Sequence, residues 1–176
     1  VASAPRVVLV GMPGAGKSTI GRRIASALNL PIVDSDVLIE QGEGKACGEV
    51  YAQLGEEAFR ELEVGYVARA LATGGVVSLG GGAVVSEQVR TLLQRHTVVW
   101  IDVTPEEGIR RTAEDASRPV LDGDDREQRY RDLMEQREPL YREVSSFRVR
   151  TDERPPQRVV AEILGSVSYT HLRAHE

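Results

Sequence analysis

Cysteine is nearly missing. Cys47 is the one cysteine in 176 residues, so no intrachain disulfide framework can form, and it reads as a small buried or half-buried side chain rather than a nucleophile. Long apolar runs are missing too: none approaches the roughly 18 residues of a membrane span. Val1–Arg6 leads straight into a strand-like segment without a secretory pattern, and the expected compartment is the cytoplasm. Lysine is scarce, with only Lys17 and Lys45 among 22 basic residues. Arginine abundance is therefore a general bias of this chain, and an arginine's position must carry any argument built on it. There is no excess of positive charge: the formal net charge of −5 argues against non-specific nucleic-acid binding. No internal repeat is visible.

What is present is an ordinary globular composition, 41% hydrophobic and 28% charged, in a chain long enough for one domain with a real core. Arg6–Val10 is a β-branched run ending at a glycine-rich turn and reads as a buried parallel strand. Ser18–Leu28 places Ile20, Ile24, Ala27 and Leu28 on one helical face. Leu30–Asp34 is a second strand. A helical stretch begins at Val37 and is expected to break at Gly42–Gly44, with further helices over Cys47–Leu54 and Glu56–Ala72. Val76–Leu79, Thr97–Val103 and Phe147–Thr151 are the remaining strands, and Trp100 in the second of them reads as core. Ser86 is placed to cap a helix over Glu87–Gln94. Thr104-Pro105-Glu106-Glu107 is a strong helix start. Arg126–Val144 is helical, with Pro139 expected to kink or divide it, and Pro156–Leu164 is the last helix. Strands alternating with helices give an α/β fold, a five-stranded parallel sheet with helices on both faces, with right-handed crossovers and a ligand at the carboxyl ends of the strands. Residues 1–167 form the expected single domain. Ser168–Glu176, which holds His171 and His175, is expected to be a disordered or non-native tail rather than a metal site.

Gly11-Met12-Pro13-Gly14-Ala15-Gly16-Lys17-Ser18 fits the G-x-x-x-x-G-K-[ST] pattern throughout. Its glycines let backbone N–H groups converge on phosphate oxygens, and the following helix offers its positive dipole end to the same anion. In this chemistry Lys17 reaches the β- and γ-phosphates, Ser18 ligates magnesium and Thr19 adds an α-phosphate contact. ATP-binding candidates are thus Gly14, Ala15, Gly16, Lys17, Ser18 and Thr19. Asp34 and Asp36 flank Ser35 where the second strand ends. In an extended segment both carboxylates face one way, one supporting magnesium through water and the other holding an acceptor hydroxyl. The competing reading makes Asp36 a helix cap. Gly80-Gly81-Gly82 follows a core strand, a costly run that makes sense where a ligand must approach backbone closely.

Together these residues resemble the shikimate kinase family, a three-layer P-loop fold of the nucleoside-monophosphate-kinase type with a mobile lid. The resemblance spans about Val7 to Leu164. It rests on the P-loop, on Asp34-Ser35-Asp36, on Phe59-Arg60-Glu61-Leu62-Glu63, on Leu79-Gly80-Gly81-Gly82-Ala83, on Arg118-Pro119 and on Arg137-Glu138-Pro139-Leu140-Tyr141. The P-loop is common to many NTPases; the ordered set of the others is far more specific. The resemblance implies ATP-dependent phosphorylation of the 3-hydroxyl of shikimate, in chorismate and aromatic amino-acid biosynthesis. It implies that Asp36 holds that hydroxyl, that Arg60 and Arg137 clamp the carboxylate, that Gly81 and Gly82 contact the acid through backbone, and that Glu63 orients Arg60. The acid would lie over about residues 35–63. Arg118, on a polar lid at about 113–125, would close over the phosphates, and Arg111 and Arg154 would flank the adenine and ribose. Lys17, Asp36 and Arg118 are then the catalytic candidates, with Mg2+ on Ser18 and, through water, Asp34. The expected partners are ATP and shikimate, with no nucleic acid and no membrane, and the chain is expected to be a monomer.

The nearest rival is another small-molecule kinase of this fold, such as a gluconate kinase, which has no evident need for paired arginines beside the glycine loop. A nucleoside-monophosphate kinase would need more phosphate-binding arginines and a base pocket. A non-catalytic nucleotide-binding module is disfavoured by Lys17, Ser18, Asp34, Asp36 and Arg118, all of which are present.

Overall fold

Val7–Val10 forms β1, and its alternation builds two cores at once. Val8 and Val10 join one cluster, Val7 and Leu9 the other, as a strand buried on both faces requires. The same division recurs in β4 (Val98–Asp102), where Val98 and Trp100 face the first cluster and Val99 and Ile101 the second. Each such fully buried aliphatic contributes about 1.5–3 kcal/mol. With β2 (Ile32–Asp34), β3 (Val76–Ser78) and β5 (Phe147–Arg150) they make one parallel sheet in the order β2-β3-β1-β4-β5. The computed structural model describes residues 4–113 and 125–174, and the side chains only as far as residue 169.

One face is covered by α1 (Lys17–Leu28) and α8 (Pro156–Ala174), which bring Ile20, Ile24, Val159 and Ile163. The other is covered by α4 (Glu56–Leu71), α5 (Glu87–Leu93), α6 (Pro105–Thr112) and α7 (Arg126–Val144). A third, smaller cluster of Ile39, Val50, Phe59 and Tyr66 joins α2 (Ser35–Glu43) and α3 (Cys47–Leu54) to α4. The three-layer α/β expectation therefore holds. β1 lies between β3 and β4, so the chain leaves it in opposite directions, and a crevice opens at the carboxyl ends of the strands.

Several local expectations are revised. The break expected at Gly42–Gly44 falls at Gly44, where α2 ends with φ 74°; Gly42 itself stays helical, and a side chain there would meet the Tyr66 ring. Pro139 does not divide α7. The residue is exposed, so water can satisfy the carbonyl that the missing N–H abandons, and buried Arg137 and Tyr141 anchor the helix on both sides. Ser86 stands at the start of α5 without a capping bond, whereas Thr104 does cap α6, accepting from the Glu107 amide at 3.3 Å. The last helix runs past Leu164 to Ala174, so residues 168–174 of the expected disordered or non-native tail are helical. Val167 is the last residue of its apolar stripe among the described residues. Trp100 is core at 3% exposure. The expected lid, with Arg118, lies outside the described residues.

Candidate active site

β1 ends at Val10 and the chain turns through Gly11–Gly16 into α1. Gly16 takes φ 100° at the N-cap, and no side chain caps the helix. Its first amides are therefore left for an anion. Lys17 Nζ donates to the carbonyls of Gly11 at 2.6 Å and Met12 at 3.0 Å. The Ala15 side chain is buried in the core, and its amide donates to Met12. Gly14, Gly16, Lys17, Ser18 and Thr19 line a cavity of about 250 Å³, together with Asp34, Asp36, Ser78, Leu79, Gly80, Gly81 and Arg111. The P-loop, the paired aspartates and the glycine loop thus meet in one crevice.

Asp34 and Asp36 share the cavity for a reason other than strand alternation. Asp34 ends β2 and itself caps α2, its Oδ1 accepting from the amides of Asp36 at 2.8 Å and Val37 at 3.4 Å. Asp36 lies inside the helix, so the cap belongs to its neighbour and its own carboxylate faces the crevice. Ser35 is fully buried, and its hydroxyl accepts from the Gly80 amide at 3.0 Å, tying this turn to the glycine loop. Side chains at Gly80 and Gly82 would collide with the Asp36 carboxylate and the Arg60 guanidinium respectively. The glycine run thus makes room for the site's own charged groups. Cys47 is half-buried, with Sγ 3.6 Å from Asp36 Oδ1; burial and the Asp36 charge push its thiol pKa up, which keeps it from acting as a nucleophile.

Arg60 is held on two sides, Nε to Glu56 at 3.0 Å and Nη1 to Glu63 at 2.9 Å. Glu63 is 1% exposed. Burial pushes its carboxyl up to about 7, while Arg60 pulls the other way. Burial opposes the Arg60 charge, but Glu63 and Glu56 outweigh it and raise the arginine. Glu56 is also bonded by the Tyr51 hydroxyl. Arg137 differs: it is 6% exposed, with no ion pair among the described residues, and its Nε has no hydrogen-bond partner there. Glu56, Glu63, Tyr51 and Tyr141 feel the charge of both arginines, which places the two in one neighbourhood. An under-satisfied buried guanidinium costs several kcal/mol, and a carboxylate would offset that cost.

Arg111 lies on the outer wall of the P-loop. It pairs with Glu107 at 3.0 Å and donates to the carbonyls of Gly14 and Ala15 and to Thr151. Arg154 lies apart from the cavity, bonded to the Arg150 carbonyl at 3.1 Å and paired with Glu162. Sequence reading missed several supports. Ser78 and Leu79 line the cavity. Arg90, paired with Glu143, also donates to the carbonyls of Val84 and Val85. Tyr130 and Tyr141 donate to carbonyls of the P-loop and of the glycine loop, and their spacing along α7 was a usable signal.

Among the described residues no group of His, Cys, Asp or Glu is arranged to hold a metal ion by itself, and no helix is long and apolar enough to cross a membrane.

Comparison with known proteins agrees with this geometry. A family model described as shikimate kinase matches residues 13–168. A shikimate kinase of Corynebacterium efficiens is 66% identical over 91% of this chain and 95% of its own length, and one of Mycobacterium tuberculosis is 51% identical over 92% of each. The solved structure of shikimate kinase from Acinetobacter baumannii in complex with shikimate superposes with a TM-score of 0.89 at 33% identity, covering 96% of this chain and 94% of the other. A gluconokinase from Sinorhizobium meliloti, at 17% identity and a TM-score of 0.67, shares the fold alone. A P-loop crevice with half-buried Arg60 against its glycine loop and buried Arg137 nearby, together with the match over nearly the whole chain, places this protein in the shikimate kinase family.

Proposed function

We propose that this chain transfers the γ-phosphoryl group of ATP to the 3-hydroxyl of shikimate, giving shikimate 3-phosphate and ADP. The observation that carries this reading is Arg137, a buried cation with an unused donor, set with Arg60 beside the Gly80–Gly82 loop. A hydroxylated acid supplies the anion those arginines require; gluconate is also such an acid, and shikimate is favoured over it by the likeness to shikimate kinases at up to 66% identity against 17% for a gluconokinase.

In this reading the acid carboxylate lies on Arg60 and Arg137, with Glu56 and Glu63 fixing the fork of Arg60. Gly81 and Gly82 contact the acid through backbone. Asp36 orients the 3-hydroxyl, whose oxygen forms the new bond to phosphorus as the bond from phosphorus to the ADP oxygen breaks. Bond breaking leads in such transfers, so Asp36 receives the proton late and need not be a strong base. Lys17 turns from its loop carbonyls to the β- and γ-phosphates, and the amides of the P-loop and the α1 N-terminus hold the remaining oxygens. Arg118 adds positive charge from the expected lid. Arg111 and Arg154 serve the nucleoside end, Arg111 directly against the P-loop wall. The oxygen donors of Ser18 and Asp34 share the cavity and fit a hard cation. When bound with ATP, magnesium supplies charge neutralisation across the β- and γ-phosphates. The chain acts as a cytoplasmic monomer, with no nucleic acid and no membrane among its partners.

A coupled ADP-release assay against shikimate, gluconate and nucleoside monophosphates tests the proposal. Turnover is expected with shikimate; turnover with gluconate and none with shikimate would overturn it.

A further inference from the structure

The buried face of α7 consists of three side chains, Tyr130, Arg137 and Tyr141. Their spacing, seven and then four residues, puts them on one stripe of the helix. Arg137 already has a place in the reading above. The tyrosines do not, although each is only 1% exposed.

Each hydroxyl ends on a carbonyl of a different substrate loop. Tyr130 donates to Pro13 at 2.7 Å, and Tyr141 donates to Gly81. Gly14 and Gly81 line the crevice. A carbonyl and the N–H of the next residue belong to one rigid peptide plane and, in the trans form, point in opposite directions; the described chain holds no cis bond. Drawing the Pro13 carbonyl back onto α7 therefore turns the Gly14 N–H the other way, and holding the Gly81 carbonyl does the same for Gly82. Neither N–H finds an acceptor among the described residues. The rings have little freedom. Gly108 lies against the Tyr130 hydroxyl, where a side chain would collide with it, and Trp100 lies 5.8 Å from Tyr141, centroid to centroid. Burial, countered in part by Arg137, holds the Tyr141 phenol up at about 12, so it remains a donor.

We propose that Tyr130 and Tyr141 are positioning residues: one aims the Gly14 amide into the nucleotide half of the crevice and the other aims the Gly82 amide into the acid half. Helix α7 thereby sets both loops, and Arg137, from a single template. The acid half of this statement rests on the proposed function.

The test deletes each hydroxyl singly, as Tyr130→Phe and Tyr141→Phe, in 15N-labelled protein. The Gly14 amide signal moves in the first variant and the Gly82 signal in the second, each leaving the other in place. In kinetics, Tyr130→Phe raises the KM for ATP, and Tyr141→Phe raises that for shikimate, by about three- to tenfold, with the other KM unchanged. Tyrosines that merely fill the core would lower the melting temperature and leave that split absent. Both KM values rising together, or both amide signals staying put, would overturn the proposal. ADP affinity of Tyr130→Phe is measured without acceptor, so a wild type that ignores shikimate would sink the proposed substrate while this arm and the amide signals still decide the positioning role. Should a variant not fold, the wild type decides. On titration with ADP and with shikimate, the Gly14 and Gly82 amide protons respectively move downfield; unmoved signals would refute the aim.

Discussion

The two halves of the crevice are built by opposite means. The nucleotide half comes from one stretch, Gly11–Thr19, and works largely through main chain. Its amides and the open N-terminus of α1 are set by backbone geometry that the sequence pattern spells out. The proposed acid half draws on side chains of separate elements: Asp36 on α2, Arg60 and Glu63 on α4, Arg137 on α7, around a glycine loop after β3. A main-chain site tolerates side-chain change wherever the backbone persists, whereas a side-chain site fails at single residues. The acid half is also where unfavourable burial is stored, in Arg137 and in Glu63.

The largest effect is expected from Lys17→Met, where the nucleotide half does depend on a side chain. Loss of its charge at the transferring group should lower kcat by about 10³-fold or more, and near-normal kcat would break the assignment of this half. Next, Arg137→Met should raise the KM for shikimate by roughly 100-fold while the KM for ATP stays within about twofold. The same variant should raise thermal stability, by about 1–2 kcal/mol, because it removes a buried cation that has no ion pair among the described residues. A stability loss in calorimetry would mean Arg137 serves the core instead. Arg60→Ala should weaken acid binding in the same selective way, and equal effects on both KM values would count against the clamp.

Glu63→Gln sharpens the contrast through pH. Folded Glu63 keeps its proton up to about 7, against 4.5 for an ordinary glutamate. Between those values the folded state binds more protons than the unfolded chain, so wild-type stability falls as pH rises through that window. The glutamine variant cannot titrate. Comparing melts at pH 5 and pH 8, its stability relative to wild type should improve at the higher pH by on the order of 1–3 kcal/mol. A pH-independent difference would show Glu63 ionised throughout as the partner of Arg60. The smallest effect belongs to Thr104→Ala, far from either half in function. Loss of its α6 cap and of its hydroxyl's hydrogen bond to Asp152 should cost about 1–2 kcal/mol and lower the melting temperature by roughly 2–6 °C, with both KM values unchanged.

Much of this was legible in the chain. The β-branched runs placed all five strands, and their alternation with helices gave the parallel sheet. Thr104-Pro105 announced α6 because a cap and a first-turn proline are local devices. The misreadings have one physical source, contacts made at long range. The break over Gly42–Gly44 comes at Gly44, and Gly42 is a glycine because a side chain there would meet Tyr66. Pro139 looked like a division, but anchors on either side carry α7 through it.

By itself the sequence determined the fold class, the phosphate-binding loop and the list of charged residues from which an acid site could be made, because propensity, periodicity and loop chemistry act between near neighbours. Only the tertiary structure decided which arginine among the described residues is buried with an unused donor, which carboxylates brace Arg60, and which tyrosines hold the P-loop and the glycine loop. Those outcomes depend on which elements the sheet order brings together. Burial and unmet hydrogen bonds, which give a charged residue its purpose, are properties of the packed molecule.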